Sequence, residues 1–196
     1  GGSALGTTLF DLLYWNFGFL RAGTGGLTAQ AYGRGDMHEC GMVLSRSLAL
    51  SLLISLALIA VQWLFLNFAF IFIKCSPEVR SLASSYFYIR IWAAPATLAL
   101  MAFKGWYIGM QDTVAAMAVD LVVNGVNMGG SVLLALLFGF RGIAAGTVLA
   151  QYCGLAAALL FLLLKYRSGV LAHLARTDLL HCFRGARRFM SMNADL

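Results

Sequence analysis

Long apolar segments determine what this chain can fold into. The hydrophobic fraction is 61% and the charged fraction is 11%, whereas soluble domains average about 45–50% and about 25%. The apolar runs are long enough to cross a bilayer as α-helices of about 20 residues. Strands of a membrane β-barrel would be about half that length and would alternate in polarity. We therefore predict an all-α, polytopic transmembrane bundle with five helices, at about residues 5–31, 43–73, 78–110, 113–138 and 141–164.

The distribution of basic residues predicts the orientation of these helices. Six of the fourteen basic residues follow Leu164, and only Asp178 and Asp195 oppose them there. Basic segments beside membrane spans lie mainly on the cytoplasmic side, so residues 165–196 are predicted to form a cytoplasmic linker. The pattern at residues 168–189 fits an amphipathic interfacial helix, and it fits an ordinary solvated loop equally well. Counting back, the Gln111–Asp112 link is cytoplasmic too.

Composition also limits the functional classes. The four cysteines are far apart in sequence, which predicts neither a metal site nor a disulfide framework. A basic tail beside membrane spans is better explained by lipid contact than by nucleic-acid binding. No nucleophile and base converge within the spans, so we expect neither an enzyme nor a cofactor.

A polar row interrupts the fourth apolar run. Asp120, Asn124, Asn127 and Ser131 are spaced by four, three and four residues, which places all four on one face of a helix. Uncompensated polar groups are costly at membrane depth and mark transport pathways. We interpret the row as part of a substrate or proton cavity. Interhelical hydrogen bonds, worth about 0.6 kcal/mol each, are the alternative.

Two residues of the following helix extend this hypothesis, and Asp120 is the titratable member of the row. Thr147 and Gln151 lie one turn apart on the following helix and are predicted to line the same cavity. Asp120 lies about two turns from the cytoplasmic end of its helix. Burial would raise the pKa of such a carboxyl group and allow proton exchange. Pairing with a loop cation or with water is the competing interpretation.

The third run contains a charge and a helix breaker. Arg90 stands among the aromatic residues Tyr86, Tyr88 and Trp92, a setting typical of an anchor at the external interface. Pro95 removes a backbone hydrogen bond and predicts a kink, either static or acting as a hinge.

Three glycine pairs have the G-x-x-x-G spacing that allows helix backbones to approach closely. We interpret all three as packing contacts rather than ligand sites. They are Gly105–Gly109, Gly125–Gly129 and Gly142–Gly146.

Three strings give the chain a resemblance to a known family. They are YWNFGFLRAGTGGLTAQAYG at Tyr14–Gly33, YIRIWAAPATLALMAFKGWYIGMQD at Tyr88–Asp112 and GIAAGTVLAQY at Gly142–Tyr152. In these the chain resembles the multidrug and toxic compound extrusion (MATE) family, in particular its DNA-damage-inducible-F branch. The resemblance implies helices two to six of the N-lobe of a two-lobe transporter. The first helix, with its coupling Asp, and the C-lobe would lie outside this chain.

The resemblance also implies an activity. Such transporters are antiporters of the bacterial inner membrane that export amphipathic, often cationic, organic compounds in exchange for protons or sodium. Asn127 matches a family Asn and Thr147 a family Thr, but Ser131 stands where the family usually has an acid. Because a cation site favours carboxylate oxygen, we expect proton rather than sodium coupling. The expected partners are membrane lipids and small organic substrates.

The wider superfamily offers an alternative, a lipid-linked oligosaccharide flippase. Its groove would need fixed cations to bind pyrophosphate. Only Arg21 and Arg90 are expected at membrane depth, which argues against this function.

Overall fold

The structure is a computed structural model that describes residues 8, 15, 17–72 and 76–166. These residues are helical apart from short turns, which confirms the predicted all-α class. Beyond Tyr166, the predicted linker and its amphipathic helix lie outside the described residues, as does much of the first predicted span. The helices are α1 (Gly18–Gly33), α2 (Met37–Phe72), α3 (Pro77–Arg90), α4 (Ala94–Gly109), α5 (Thr113–Phe138) and α6 (Phe140–Lys165).

The helices have the length and apolar character that a membrane requires. Within the described part of the chain, the segments long enough to cross a bilayer number four. The polytopic membrane fold follows from these lengths. The bounds of α5 coincide with the predicted run, and α6 extends one residue further at each end. The four segments are Met37–Phe68, Pro77–Gly109, Thr113–Phe138 and Phe140–Lys165.

The second helix begins at Met37, whereas the apolar pattern placed its start near residue 43. Asp36 accepts a hydrogen bond from the amide of Glu39 at 3.0 Å, which satisfies one free donor at the helix start. Arg46 then pairs with Glu39 at 3.0 Å. The first turns of α2 are therefore helical but polar, and hydropathy alone does not reveal them.

The third apolar run is broken into two helices. Ser76 accepts a hydrogen bond from the amide of Val79 at 3.4 Å, and Pro77 occupies the first turn of α3. A 3-10 turn at Ile91–Ala93 separates α3 from α4, and Pro95 lies in the first turn of α4. Proline is tolerated there because the amides of a first turn have no intrahelical acceptor.

Close backbone contacts hold the bundle around α4, which packs on α1, α2 and α6. A Cβ added at Gly109 would lie 2.6 Å from the carbonyl oxygen of Gly25, and one at Gly105 would collide with the backbone of Arg21. The packing interpretation of this pair is confirmed.

The other two glycine pairs behave differently. A Cβ at Gly146 of α6 would lie 2.6 Å from the backbone of Ser131 in α5. A Cβ at Gly142 of α6 would also collide with the backbone of α5. This pair also packs as predicted. Around Gly125 and Gly129, by contrast, no described atom lies within 4 Å of an added Cβ. No described residue packs on that pair, so its role in packing stays a prediction.

A buried hydroxyl row joins α2 to its neighbours. Ser47, Ser51 and Ser55 are fully buried at intervals of four residues. Thr24 of α1 donates to the Ser47 hydroxyl at 2.8 Å, and Ser51 donates to the carbonyl oxygen of Leu98 in α4 at 3.2 Å. Small hydroxyl side chains suit such seams, because they let helices approach while satisfying their own polar groups.

Candidate functional site

The polar row on α5 has one internal hydrogen bond. Ser131 donates to the side-chain oxygen of Asn127 at 3.1 Å, and both residues are half-buried. Asn124, one turn closer to the cytoplasmic end, is exposed. The Ser131 hydroxyl therefore orients the Asn127 amide, and the two form a neutral pair of oxygen and nitrogen groups on the helix face.

The following helix, α6, contacts α5 at Ser131. Gly146 of α6 lies against the backbone of Ser131, which brings the adjacent Thr147 to the same level. Thr147 is buried and donates to the carbonyl oxygen of Ile143 at 3.3 Å in its own helix. Gln151, one turn further along, is half-buried. The role of these residues in a cavity stays a prediction.

Asp120 forms an ion pair with Lys104 of α4. The Asp120 side chain is 50% exposed and that of Lys104 is 24% exposed. The ion pair favours the interpretation in which Asp120 is paired with a cation, although that cation lies in a helix and not in a loop. Lys104 is also a helical cation in addition to Arg21 and Arg90. The role of Asp120 in a cavity stays a prediction. The sequence held a signal for this pair in the distance of each residue from the turn at Gln111–Asp112. Lys104 lies seven residues before Gln111, and Asp120 lies eight residues after Asp112. Two helices joined by a tight turn bring such positions to one level.

Arg90 and Pro95 lie near the other end of the third run. Arg90 donates to the Tyr86 hydroxyl at 3.3 Å, and its guanidinium group lies 5.7 Å from the centre of that ring. Tyr152 of α6 donates to the carbonyl oxygen of Trp92 at 2.9 Å, beside the 3-10 turn. These contacts are those expected of an anchor. The hinge at Pro95 stays a prediction.

Sequence reasoning missed a second polar centre, at the end of the bundle that the basic residues predict to be cytoplasmic. Asp112 is 7% exposed and caps α5 by accepting a hydrogen bond from the amide of Ala115 at 3.3 Å. Lys165 donates to the same carboxylate at 2.7 Å, and the Tyr166 hydroxyl also donates to it, at 2.8 Å. We call Asp112, Lys165 and Tyr166 the cytoplasmic clamp, because they fasten the end of α6 to the turn between α4 and α5.

The clamp determines the ionisation of its own members. Burial alone would raise the pKa of Asp112, but hydrogen bonds from Lys165, Tyr166 and the Ala115 amide outweigh it and hold the pKa below its usual value. Burial, together with the Asp112 carboxylate, raises the pKa of Tyr166. Asp112 is therefore charged and Tyr166 neutral at physiological pH.

Aromatic side chains support the clamp from within the bundle. The Tyr166 ring meets Trp106 edge-on, with centroids 4.9 Å apart. Trp106 donates to the carbonyl oxygen of Cys40 in α2 at 2.8 Å, and Tyr107 donates to that of Ala158 in α6 at 2.6 Å. A cavity of about 510 Å³ adjoins the clamp, lined by Tyr32, Met37, Met110, Gln111, Asp112, Lys165 and Tyr166. An Asp directly before a helix start was the signal in the sequence.

Side chains that commonly bind metal ions are dispersed in the described part of the chain. Across residues 17–72 and 76–166, no three His, Cys, Asp or Glu side chains come together in a group that could hold a metal ion.

Known proteins share both sequence and fold with this chain. The MatE family model matches residues 1–133. DNA damage-inducible protein F of Escherichia coli (strain K12) is 31% identical over 201 residues, a match that covers 100% of this chain and 43% of that protein. The chain thus spans less than half the length of this curated relative.

Two solved structures have the same helical arrangement. A multidrug resistance MATE family transporter of the MOP superfamily, in an inward-facing conformation, has a TM-score of 0.79 at 20% identity over 96% of this chain and 44% of that one. The lipid II flippase MurJ, in an inward closed conformation, has a TM-score of 0.69 at 13% identity over 99% of this chain and 46% of that one. At these identities the likeness concerns the fold.

Proposed function

Since this chain belongs to the MatE family of membrane proteins, we propose that the full-length protein is a secondary active antiporter that exports amphipathic or cationic organic compounds. The match to the Escherichia coli protein bears out the predicted branch of the family. The observation that carries the proposal is a family match over residues 1–133 in a chain with a polar row inside a membrane helix.

Alternating access is the mechanism that suits such a lobe. The close glycine contacts around α4 and between α5 and α6 favour a unit that moves as one body. A second lobe would rock against it around a central site. The lobe would then contribute fixed polar groups, among them Asn127, rather than a moving gate.

Proton coupling fits the described residues better than sodium coupling. Ser131 and Asn127 offer neutral oxygen atoms, whereas a tight site for a hard cation usually includes carboxylate oxygen. The Asp120 carboxylate is already paired with Lys104, so it is a weaker candidate for carrying the coupling proton. We propose that the principal proton acceptor lies outside the described residues and that Asn127 hydrogen-bonds to it.

A lipid-linked substrate is the second candidate function. The fold similarity to a lipid II flippase favours it, and Lys104 is a cation in addition to Arg21 and Arg90. Lys104 is nevertheless neutralised by Asp120, and a pyrophosphate site needs cations that are available to the ligand. Export of organic cations therefore remains the better supported function.

Transport in proteoliposomes tests the proposal. Full-length protein should move ethidium against its gradient when a pH gradient is imposed, without added sodium. Asn127→Ala should slow this transport more than Asn67→Ala, a matched change elsewhere in a membrane helix. Transport driven only by a sodium gradient would refute proton coupling. Flipping of a lipid pyrophosphate without any ethidium transport would favour the second function.

A further inference from the structure

The ion pair between Lys104 and Asp120 links α4 to α5 at their partly exposed edge. The helix α5 packs mainly on α6 and makes far fewer contacts with α4. The two helices also share a buried apolar cluster, with Phe103 on α4 and Val119 on α5. The ion pair lies outside that cluster and is partly exposed, so separating it leaves the cluster in place.

The two partners are unequally covered. Half of the Asp120 side chain is exposed, against about a quarter of Lys104. Lys104 contacts the Oδ1 atom, and a carboxylate has a second oxygen that can accept from another cation. A half-exposed ion pair is not stable against hydrocarbon. This face of α5 must therefore meet water or another part of the full-length protein.

The surroundings of Asp120 combine apolar and polar surface. Met117, three residues before it, is 66% exposed, and Asn124, four residues after it, is exposed as well. These spacings put all three side chains on one face of the helix. An accessible carboxylate between an apolar thioether and an amide complements an organic cation that has both a charge and an apolar body.

We propose that Asp120 is a cytoplasmic-side contact for amphipathic organic monocations and that Lys104 is its built-in competitor. Lys104 occupies the carboxylate while no substrate is present and yields it when a monocation enters. The freed ammonium group, already partly exposed, becomes hydrated. This inference rests on the proposed export of organic cations. It adds a substrate contact, Asp120, and a residue that weakens substrate binding there, Lys104.

Equilibrium binding of ethidium to the full-length protein tests the competition. Lys104→Met removes the competing charge and keeps the length of the side chain, so ethidium should bind about two- to fivefold more tightly, the factor that corresponds to a half-exposed ion pair. Asp120→Asn should weaken binding by at least about threefold. Lys104→Arg should also weaken it, because a guanidinium group grips a carboxylate through two N–H groups.

A matched control is Arg46→Gln, which removes a different ion pair, with Glu39 at 3.0 Å, and should leave ethidium affinity unchanged. The charge swap Lys104→Asp with Asp120→Lys distinguishes competition from a structural tie. If the ion pair is only a structural tie, the swap should restore the ethidium affinity. If Lys104 competes with the cation for Asp120, the swap should not restore it. Recovery of wild-type affinity in the swap, or shifts of the same sign in Lys104→Met and Asp120→Asn, would overturn the inference.

The failure of the proposed function looks different from the failure of this inference. Wild-type protein that binds ethidium with the expected variant effects, but transports it under no gradient, refutes export and leaves the contact standing. Wild-type protein that binds no ethidium overturns the contact itself. Lys104→Arg keeps the charge and hence the folded pair, so the test survives even where Lys104→Met does not fold.

Discussion

Replacing Asp112 by alanine should destabilise the cytoplasmic end of the bundle by about 3 kcal/mol. Losing the cap on Ala115 costs about 1 kcal/mol, and losing a buried, charge-assisted hydrogen bond from Tyr166 costs at least about 1.5 kcal/mol. The Lys165 side chain is 59% exposed, so solvent screening limits its share to well under about 1 kcal/mol.

Equilibrium unfolding in mixed SDS micelles, followed by tryptophan fluorescence, measures this free energy. Asp112→Asn keeps the cap, because Asn is as good a capping residue as Asp, and should cost about 1 kcal/mol less than Asp112→Ala. Asp36→Ala is the control, since Asp36 caps α2 at the surface without partners like Lys165 and Tyr166. If Asp112→Ala costs no more than Asp36→Ala, the clamp contributes nothing and the reasoning fails.

Two further predictions concern pH and packing. The folded-state pKa of Asp112 is depressed from 3.8, so the stabilisation by Asp112 should be complete above that pH and be lost as the pH falls below it. The pKa of Tyr166 is raised from 10.0, so the stabilisation by Tyr166 should be complete below pH 10.0 and be lost above it. Unfolding measured across pH tests both, and Tyr166→Phe should abolish the alkaline loss. Gly146→Ala should cost about 1–3 kcal/mol by forcing α5 and α6 apart, whereas Gly129→Ala, with open space around it, should cost less; equal losses of stability would contradict the packing argument.

The helices were predictable where apolar length alone defines them. The bounds of α5, Thr113–Phe138, follow from a mainly apolar, helix-length run between a capping Asp112 and Gly139. The start of α2 at Met37 was missed because its first turns are polar and are held by a cap and an ion pair. Hydropathy does not report helix formation in polar turns of this kind.

The site was predictable only within a single helix. Periodicity put Asn127 and Ser131 on one face, and they are hydrogen-bonded. The partner of Asp120 lies on another helix, and finding Lys104 requires counting residues on both sides of a turn. The cytoplasmic clamp was harder still to predict, because Lys165 and Tyr166 follow Asp112 by 53 and 54 positions in the chain. No periodicity within one helix reports a contact of that kind.

The pairing of α5 with α6 also fixes the length of both helices. Each has 26 residues; the turn at Gly139 joins them at one end, and the clamp between Asp112 and Lys165 closes the other. Inserting one residue in either helix would shift its end by about 1.5 Å and rotate it by roughly 100°, which would carry Lys165 away from Asp112. Natural variation in this hairpin should therefore take the form of substitutions, with insertions and deletions confined to its turns.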